Sequence, residues 1–332
     1  MHEVTNVIDL GTSGQFADKP WIGVDIPRPG YPKGIAYIVY SIFLGEIQQN
    51  VHSKTFIARS IDGGHTWENP IKLSESQQKN QGTTIAIDPE DGTVYVAWRR
   101  FASVNVTDAM VISKSVDFGQ TFTKATEVSP SNTFFFDQRT YDPILFTTQF
   151  RSYAFPTMAV DNNHHVHMAW AERMDGPDSN AQIVVRTSTD GGNTFPYKTV
   201  VEEHSGHQFM PSMAFVAGKL MIAWYDSRDS VRILKGGAHG ILISDDYIGT
   251  DCNRDDPDHP CNWRQTIDVR ATQGFPGSSP VFDPSIQVSR YMFALFEGEL
   301  MQMQYNPPNY PLFKGGTTPF HGDYLDIAPA PR

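Results

Sequence analysis

The phrase Ser60-Ile61-Asp62-Gly63-Gly64-His65-Thr66-Trp67 returns as Ser115-Val116-Asp117-Phe118-Gly119-Gln120-Thr121-Phe122 and again as Ser188-Thr189-Asp190-Gly191-Gly192-Asn193-Thr194-Phe195. The shared form is Ser-x-Asp-x-Gly-x-Thr-aromatic. Ser and Asp carry short side-chain oxygens that bond nearby backbone N–H groups and hold a tight turn. Glycine supplies a positive φ where a side chain would clash. Thr and the aromatic then resume an extended strand whose ring can be buried. The pattern reads as a hairpin turn inside a repeating unit, and a repeat reveals an architecture that single segments hide.

Upstream of the first phrase, β-rich runs occupy 18–25, 34–42 and 54–59. Strand, turn, strand, loop, strand, phrase, strand is a four-stranded antiparallel meander, the form of one propeller blade. The order recurs at 82–88, 93–98 and 109–113 before the second phrase, and at 155–161, 166–170 and 182–186 before the third. Ser60 and Ser115 are 55 residues apart, Ser115 and Ser188 73. The surplus falls in 131–154, which reads as an insertion between blades, and long loops on regular scaffolds are where binding often happens. A fourth unit at 211–268 has no complete phrase, and a fifth, degraded one spans 283–304. Residues 1–17 form a lead-in with one strand over 3–10. The stretch 321–328 resembles the first strand of another blade, and the finish at Pro329-Ala330-Pro331 suggests a segment of a longer polypeptide.

The phrase is the Asp-box, and the chain resembles the sialidase-like Asp-box (BNR repeat) β-propellers, closely over 18–200 and loosely over 201–332. The resemblance implies an all-β fold, one propeller domain over 1–332 with six four-stranded antiparallel blades, of which this chain need not hold every strand. It also implies that Asp62, Asp117 and Asp190 are structural, on the side away from any active site.

Composition bounds the partners. With 26 Lys and Arg against 37 Asp and Glu, the net charge is −11, which argues against nucleic acid or an anionic membrane surface as partner. No stretch is long and apolar enough to span a membrane. Cys252 and Cys261 are the only cysteines, and they bracket a polar, Pro-containing loop. That pattern reads as a disulfide, hence an oxidising compartment. Met1-His2-Glu3-Val4 begins no leader. The expected location is extracellular or the cell surface, with a leader already removed.

Candidate chemistry follows from the repeat. The residues behind the Ala-Trp pairs emerge on one face: Arg99 and Arg100 after Trp98, Glu172 and Arg173 after Trp170, and Tyr225, Asp226 and Arg228 after Trp224. Converging guanidinium groups suit a carboxylate, which each binds through two parallel bonds. Arg99, Arg173 and Arg228 are therefore the substrate-binding candidates for a glycan or small acidic sugar such as a sialic acid. The alternative is that each arginine pairs with a neighbouring Asp or Glu at a blade edge. Glycoside hydrolysis needs two acidic groups, or a Tyr nucleophile in the sialidase case, and Asp226, Glu172 and Tyr324 are the catalytic candidates. The family's first arginine lies in an Arg-Ile-Pro phrase opening the first blade; Asp18-Lys19-Pro20-Trp21 stands there instead, and Arg28 in Ile26-Pro27-Arg28 has the wrong order.

If active, the chain is a sialidase-type glycoside hydrolase. If not, it is a non-catalytic interaction or structural module of a larger surface or secreted protein, with other domains of that polypeptide as partners. No organic cofactor is called for, since neither a Gly-x-Gly-x-x-Gly loop nor a Gly-x-Ser-x-Gly turn occurs. Asp251, Asp255, Asp256 and Asp258 make an oxygen-rich loop of the kind that holds calcium. Alternation sets His165 and His167 on one strand face, two nitrogens of the kind zinc takes, with no clear third ligand in the sequence; no metal ligand set is assigned.

Overall fold

A computed structural model describes residues 5–11, 14–44, 52–75, 78–103, 105–137, 152–176, 179–204, 206–228, 231–232, 263–264, 268–289, 292–296, 299–303 and 325–327. All regular elements among them are strands. The first sheet runs β1 (Phe16–Asp25), β2 (Ile35–Leu44), β3 (His52–Ser60), β4 (Ile71–Lys72); the second runs β5 (Lys79–Ile87), β6 (Val94–Phe101), β7 (Ala109–Ser115), β8 (Thr126–Glu127). In the third sheet β9 (Phe134–Phe135) and β10 (Thr157–Val160) both pair with β11 (Val166–Arg173), followed by β12 (Ala181–Ser188) and β13 (Tyr197–Val200). The fourth begins with β14 (Gln208–Val216) and β15 (Lys219–Asp226). A short ladder of β16 (Val231–Arg232) and β17 (Trp263–Arg264) precedes its remaining strands, β18 (Asp268–Phe275), β19 (Val281–Phe282) and β20 (Ile286–Gln287). Finally, β21 (Met292–Phe296) pairs with β22 (Glu299–Met303).

Each sheet is an antiparallel meander of blade form, and the described residues hold four of them. The expected six blades are not supported. The fifth unit divides: Ile286–Gln287 joins the fourth sheet through β18, and among the described residues only the β21–β22 ladder lies beyond it. The expected insertion at 131–154 begins as sheet, because Phe134 and Phe135 pair with Arg173 and Glu172. The inner edge of the third sheet is thus made in two pieces. The lead-in shows no strand over 5–11; the Thr5 hydroxyl donates to the His65 carbonyl at 3.2 Å.

The cores lie between sheets. Val94, Val96 and Trp98 pack with Ile35, Tyr37 and Val39 of the first sheet, while Tyr95 and Ala97 turn to Val166, Met168 and Trp170 of the third. Ala169, Ala171, Ile183 and Val185 then meet Leu220, Ile222 and Trp224 of the fourth. Both faces of a middle strand are buried, so its sequence is almost continuously apolar rather than alternating.

The three Ser-x-Asp phrases repeat one hydrogen-bond set. Asp62 Oδ1 accepts from Thr66 N at 2.9 Å and Oδ2 from the Thr66 hydroxyl at 2.6 Å, while Ser60 Oγ accepts from Gly64 N at 2.9 Å. Asp117 with Thr121 and Asp190 with Thr194 make the same bonds at the same distances. Burial works against ionisation of Asp117, but hydrogen bonds from Thr121 and Ser115 outweigh it and hold the group at about 2. In the second and third phrases the glycine two positions after the Asp is sterically required, whereas a Cβ on Gly64 would meet nothing within 4 Å. A Cβ on Gly119 would lie 2.6 Å from Tyr37 of the sheet before it, and one on Gly192 would lie 2.9 Å from Tyr95. Arg59 donates to the Phe118 carbonyl at 2.7 Å, and Lys114 to the Gly191 carbonyl at 2.6 Å. Each of these two turns is therefore seated on the preceding sheet.

Candidate functional site

The inner strands β1, β5, β10 and β14 run alongside one another in the same direction: Thr83 Oγ1 donates to the Lys19 carbonyl at 2.8 Å, and Met213 N donates to Thr157 Oγ1 at 3.1 Å. Their starts share one end of the molecule with the ends of β2, β6, β11 and β15, and the three Ser-x-Asp turns lie at the other.

Three inner strands share an irregularity near their start. Lys19, Gly82 and Met210 have φ of 50°, 71° and 50°, and the register shifts there in each strand. These are bulges, which re-aim side chains. Proline follows Lys19 and Met210, and a residue without an N–H suits a position where the ladder is interrupted. The bulged segments line a cavity among the inner strands, holding about 520 Å³ of empty space that includes open solvent. Lys19, Trp21, Thr83, Tyr153, Phe155 and Ser212 are among its walls. Lys19 Nζ lies 4.9 Å from the Phe155 ring centroid. Phe155 closes directly on Gly82, and Phe101 meets Tyr153 and Phe155 at 6.2 and 6.5 Å.

Leu325 lines the same cavity. Ile327 N donates to Ser212 Oγ at 3.1 Å, which repeats, one sheet further on, the bond from Met213 N to Thr157 Oγ1. Of the stretch 321–328 only 325–327 are described, and they form no strand.

The arginines from the repeat do not converge on the cavity as ligand donors. Arg99 is 2% exposed and all five of its N–H groups are engaged. Asp108 takes Nε and Nη2 at 2.9 and 2.6 Å, Asp137 takes Nη1 and Nη2 at 2.6 and 2.9 Å, and the Ala154 carbonyl takes Nη1 at 3.2 Å. Its guanidinium carbon lies 4.5 Å from the ring centroid of Phe101 and 4.5 Å from that of Phe135. Arg228 binds Asp226 through Nε and Nη2 at 2.9 and 2.7 Å and Glu202 at 2.6 Å. Arg173 donates to the Ser179 carbonyl and sits 5.0 Å over Phe136. The blade-edge pairing posed as the alternative describes Arg99 and Arg228.

The acidic candidates are held in the same way. Asp226 accepts from the Trp224 indole at 2.9 Å as well as from Arg228. Glu172 accepts from the Trp170 indole at 3.1 Å and from Lys198 at 2.7 Å. Trp98 completes the set by donating to Asn80 Oδ1 at 2.9 Å. These acceptors satisfy three indole N–H groups buried between sheets, where an unmade hydrogen bond would be costly. His207 is 8% exposed and accepts the Ala181 N–H at its Nδ1; burial, then nearby Arg173, push its pKa down to about 4. Asp18 accepts from Gln81 Nε2 at 2.6 Å. Tyr324, Cys252, Cys261 and the Asp251–Asp258 loop lie outside the described residues.

The cavity residues were missed as a group. Their signal was present as Lys19-Pro20, Phe155-Pro156 and Met210-Pro211, a proline recurring at one place in the repeat. No family model matches the chain, and no curated protein matches it. Among solved structures it is similar to a Hadza microbial sialidase, at 12% identity over 77% of this chain and 57% of that one, TM-score 0.41. A Trypanosoma rangeli sialidase in complex with sialic acid overlaps at 11% identity over 80% and 40%, TM-score 0.42. A Penicillium chrysogenum alpha-L-arabinanase complexed with arabinobiose overlaps at 12% over 77% and 64%, TM-score 0.46. The chain thus spans 40% to 64% of the length of these three structures. None reaches a TM-score of 0.5, so the fold assignment stands on the sheets themselves.

Proposed function

We propose that this propeller acts on or binds glycans that carry an acid group, at the cavity between its inner strands. The observation that carries the reading is the wall composition: the Lys19 ammonium over the Phe155 ring, in a cavity also walled by Trp21 and Tyr153. Ligand sites combine apolar and aromatic walls with a few placed polar groups. A sugar ring presents a C–H face that packs on an aromatic side chain, and a sugar carboxylate is drawn to the ammonium. A sialoside, or another acidic sugar, fits that chemistry better than a neutral pentose oligomer.

Binding without hydrolysis is the second reading. It is favoured by Asp226 and Glu172, whose carboxylates are tied to their own tryptophans and to Arg228 and Lys198. The test is a fluorogenic sialoside assay together with calorimetric titration of the same sugar. Binding that weakens at least tenfold in Lys19→Met supports the site, and turnover decides between the readings. Equal affinity in wild type and Lys19→Met, or no binding of any acidic sugar, overturns the proposal.

A further inference from the structure

The face opposite the cavity carries an arrangement that breaks the repeat. In the first sheet Tyr37 pairs across strands with Arg59, and in the second Tyr95 pairs with Lys114. Each tyrosine lies beneath the next sheet's turn glycine, and each cation donates to that turn's carbonyl. At the corresponding place in the third sheet His167 pairs with Thr187. The sheet that follows it lacks a complete Ser-x-Asp phrase. Where the first two sheets support a turn, the third gathers a His pair and a carboxylate.

Asp161 and His167 are fully buried, and the His165 side chain is 21% exposed. Asp161 Oδ2 is 3.0 Å from His165 Nδ1 and 3.3 Å from His167 Nε2, and the three donor atoms all lie within 4.8 Å of one another. Donors on a tetrahedral Zn²⁺, bound at about 2.0–2.1 Å, are roughly 3.3 Å apart. The other oxygen of Asp161 accepts N–H from Asn163 and His165 at 2.8 and 3.0 Å, which fixes the carboxylate. The other nitrogen of His167 is 2.9 Å from Thr187 Oγ1. An outer hydrogen bond of this kind orients a ligating imidazole.

We infer that Asp161, His165 and His167 form a binding site for a divalent transition metal, Zn²⁺ by the N₂O donor set. Asp161 supplies the third ligand that the sequence alone did not reveal. To hold the metal, each imidazole would turn the lone pair of its near nitrogen, Nδ1 of His165 and Nε2 of His167, toward the site beside Asp161. His167 would then carry its proton on Nδ1, where Thr187 Oγ1 at 2.9 Å can accept it.

The experiment is zinc titration of the chelator-treated full chain against a chromogenic competitor, with thermal melting in parallel. One Zn²⁺ per chain and a raised melting temperature are expected. His165→Gln, at a partly exposed position, should lose at least tenfold in affinity. His167→Tyr installs the residue of the first two sheets and should fold while losing the site. Thr187→Val should weaken binding about 10- to 100-fold. His164→Gln, whose imidazole faces Asp88 at 2.8 Å, should bind zinc like wild type. Absence of stoichiometric zinc, or equal affinity in wild type, His165→Gln and His167→Tyr, overturns the assignment.

Discussion

Gly82→Ala tests the construction of the cavity wall. Gly82 has φ of +71°, and a Cβ there would lie 2.1, 2.3 and 2.8 Å from Cδ1, Cγ and Cβ of Phe155. Carbon atoms pack best at about 3.5–4.0 Å, so the Phe155 side chain as a whole must move. The left-handed backbone costs an alanine about 1–2 kcal/mol, and overpacking adds about 1–3 kcal/mol. Together these give roughly 2–5 kcal/mol of destabilisation. The assay is urea unfolding of wild type, Gly82→Ala, Phe155→Ala and the double variant. Removing the ring first eliminates the clash but not the backbone cost, so Gly82→Ala should cost only about 1–2 kcal/mol in the Phe155→Ala background. Equal costs in the two backgrounds would refute the close approach of Phe155 to Gly82. Displacing Phe155 also removes the ring beside Lys19, so Gly82→Ala should weaken acidic-sugar binding at temperatures where it remains folded.

Other perturbations separate structural from exposed groups. Arg99→Met strands Asp108 and Asp137 and should cost about 3–5 kcal/mol, whereas Arg100→Met, which breaks an exposed pair with Glu127, should cost about 0–1 kcal/mol; similar denaturation midpoints for the two would count against the buried network. His207 has its pKa depressed by burial to about 4 from an unfolded value near 6.5, so its effect on stability is nil above 6.5. As pH falls from 6.5 to 4 the unfolded state binds the proton preferentially and stability drops by about 3 kcal/mol, a loss that His207→Gln should abolish in pH-dependent urea titrations. Trp170→Phe leaves Glu172 without its indole donor and should lower stability by about 1–3 kcal/mol beyond the packing change, measured against Trp98→Phe, whose partner is the neutral Asn80.

The blade form was legible because it rests on local chemistry. Three turns with the same Ser, Asp, Gly and Thr positions announce themselves in sequence, and the hydrogen bonds of Asp62, Asp117 and Asp190 follow directly from those residue types. The partners of Arg99 were not legible, since Asp137 lies 38 residues away and is brought near only when the split inner edge of the third sheet forms. Repetition in sequence correctly located the arginines behind the tryptophans but could not show which carboxylates answered them. The cavity was hidden for a different reason. Its shape depends on backbone irregularities at Lys19, Gly82 and Met210, and strand periodicity carries no mark of a bulge except the recurring proline. Asp161 was overlooked as a ligand because it closes the inner strand while the histidines open the next, and a turn separates them in the chain.

The placement of the cores between sheets has a consequence for how the molecule comes apart. Among the described residues the second and third sheets each have a neighbour on both faces, whereas the first and fourth present apolar side chains to solvent, Ile22 and Val24 at one flank, Val281 and Ile286 at the other. No sheet owns a core, so opening one flank strips its neighbour of half its packing, as in proteins whose stability is a sum over nearest neighbours. Amide protection should therefore be graded from sheet to sheet, highest on β6 and β11 and falling toward both flanks, with each step a cooperative unit of one interface rather than of one blade.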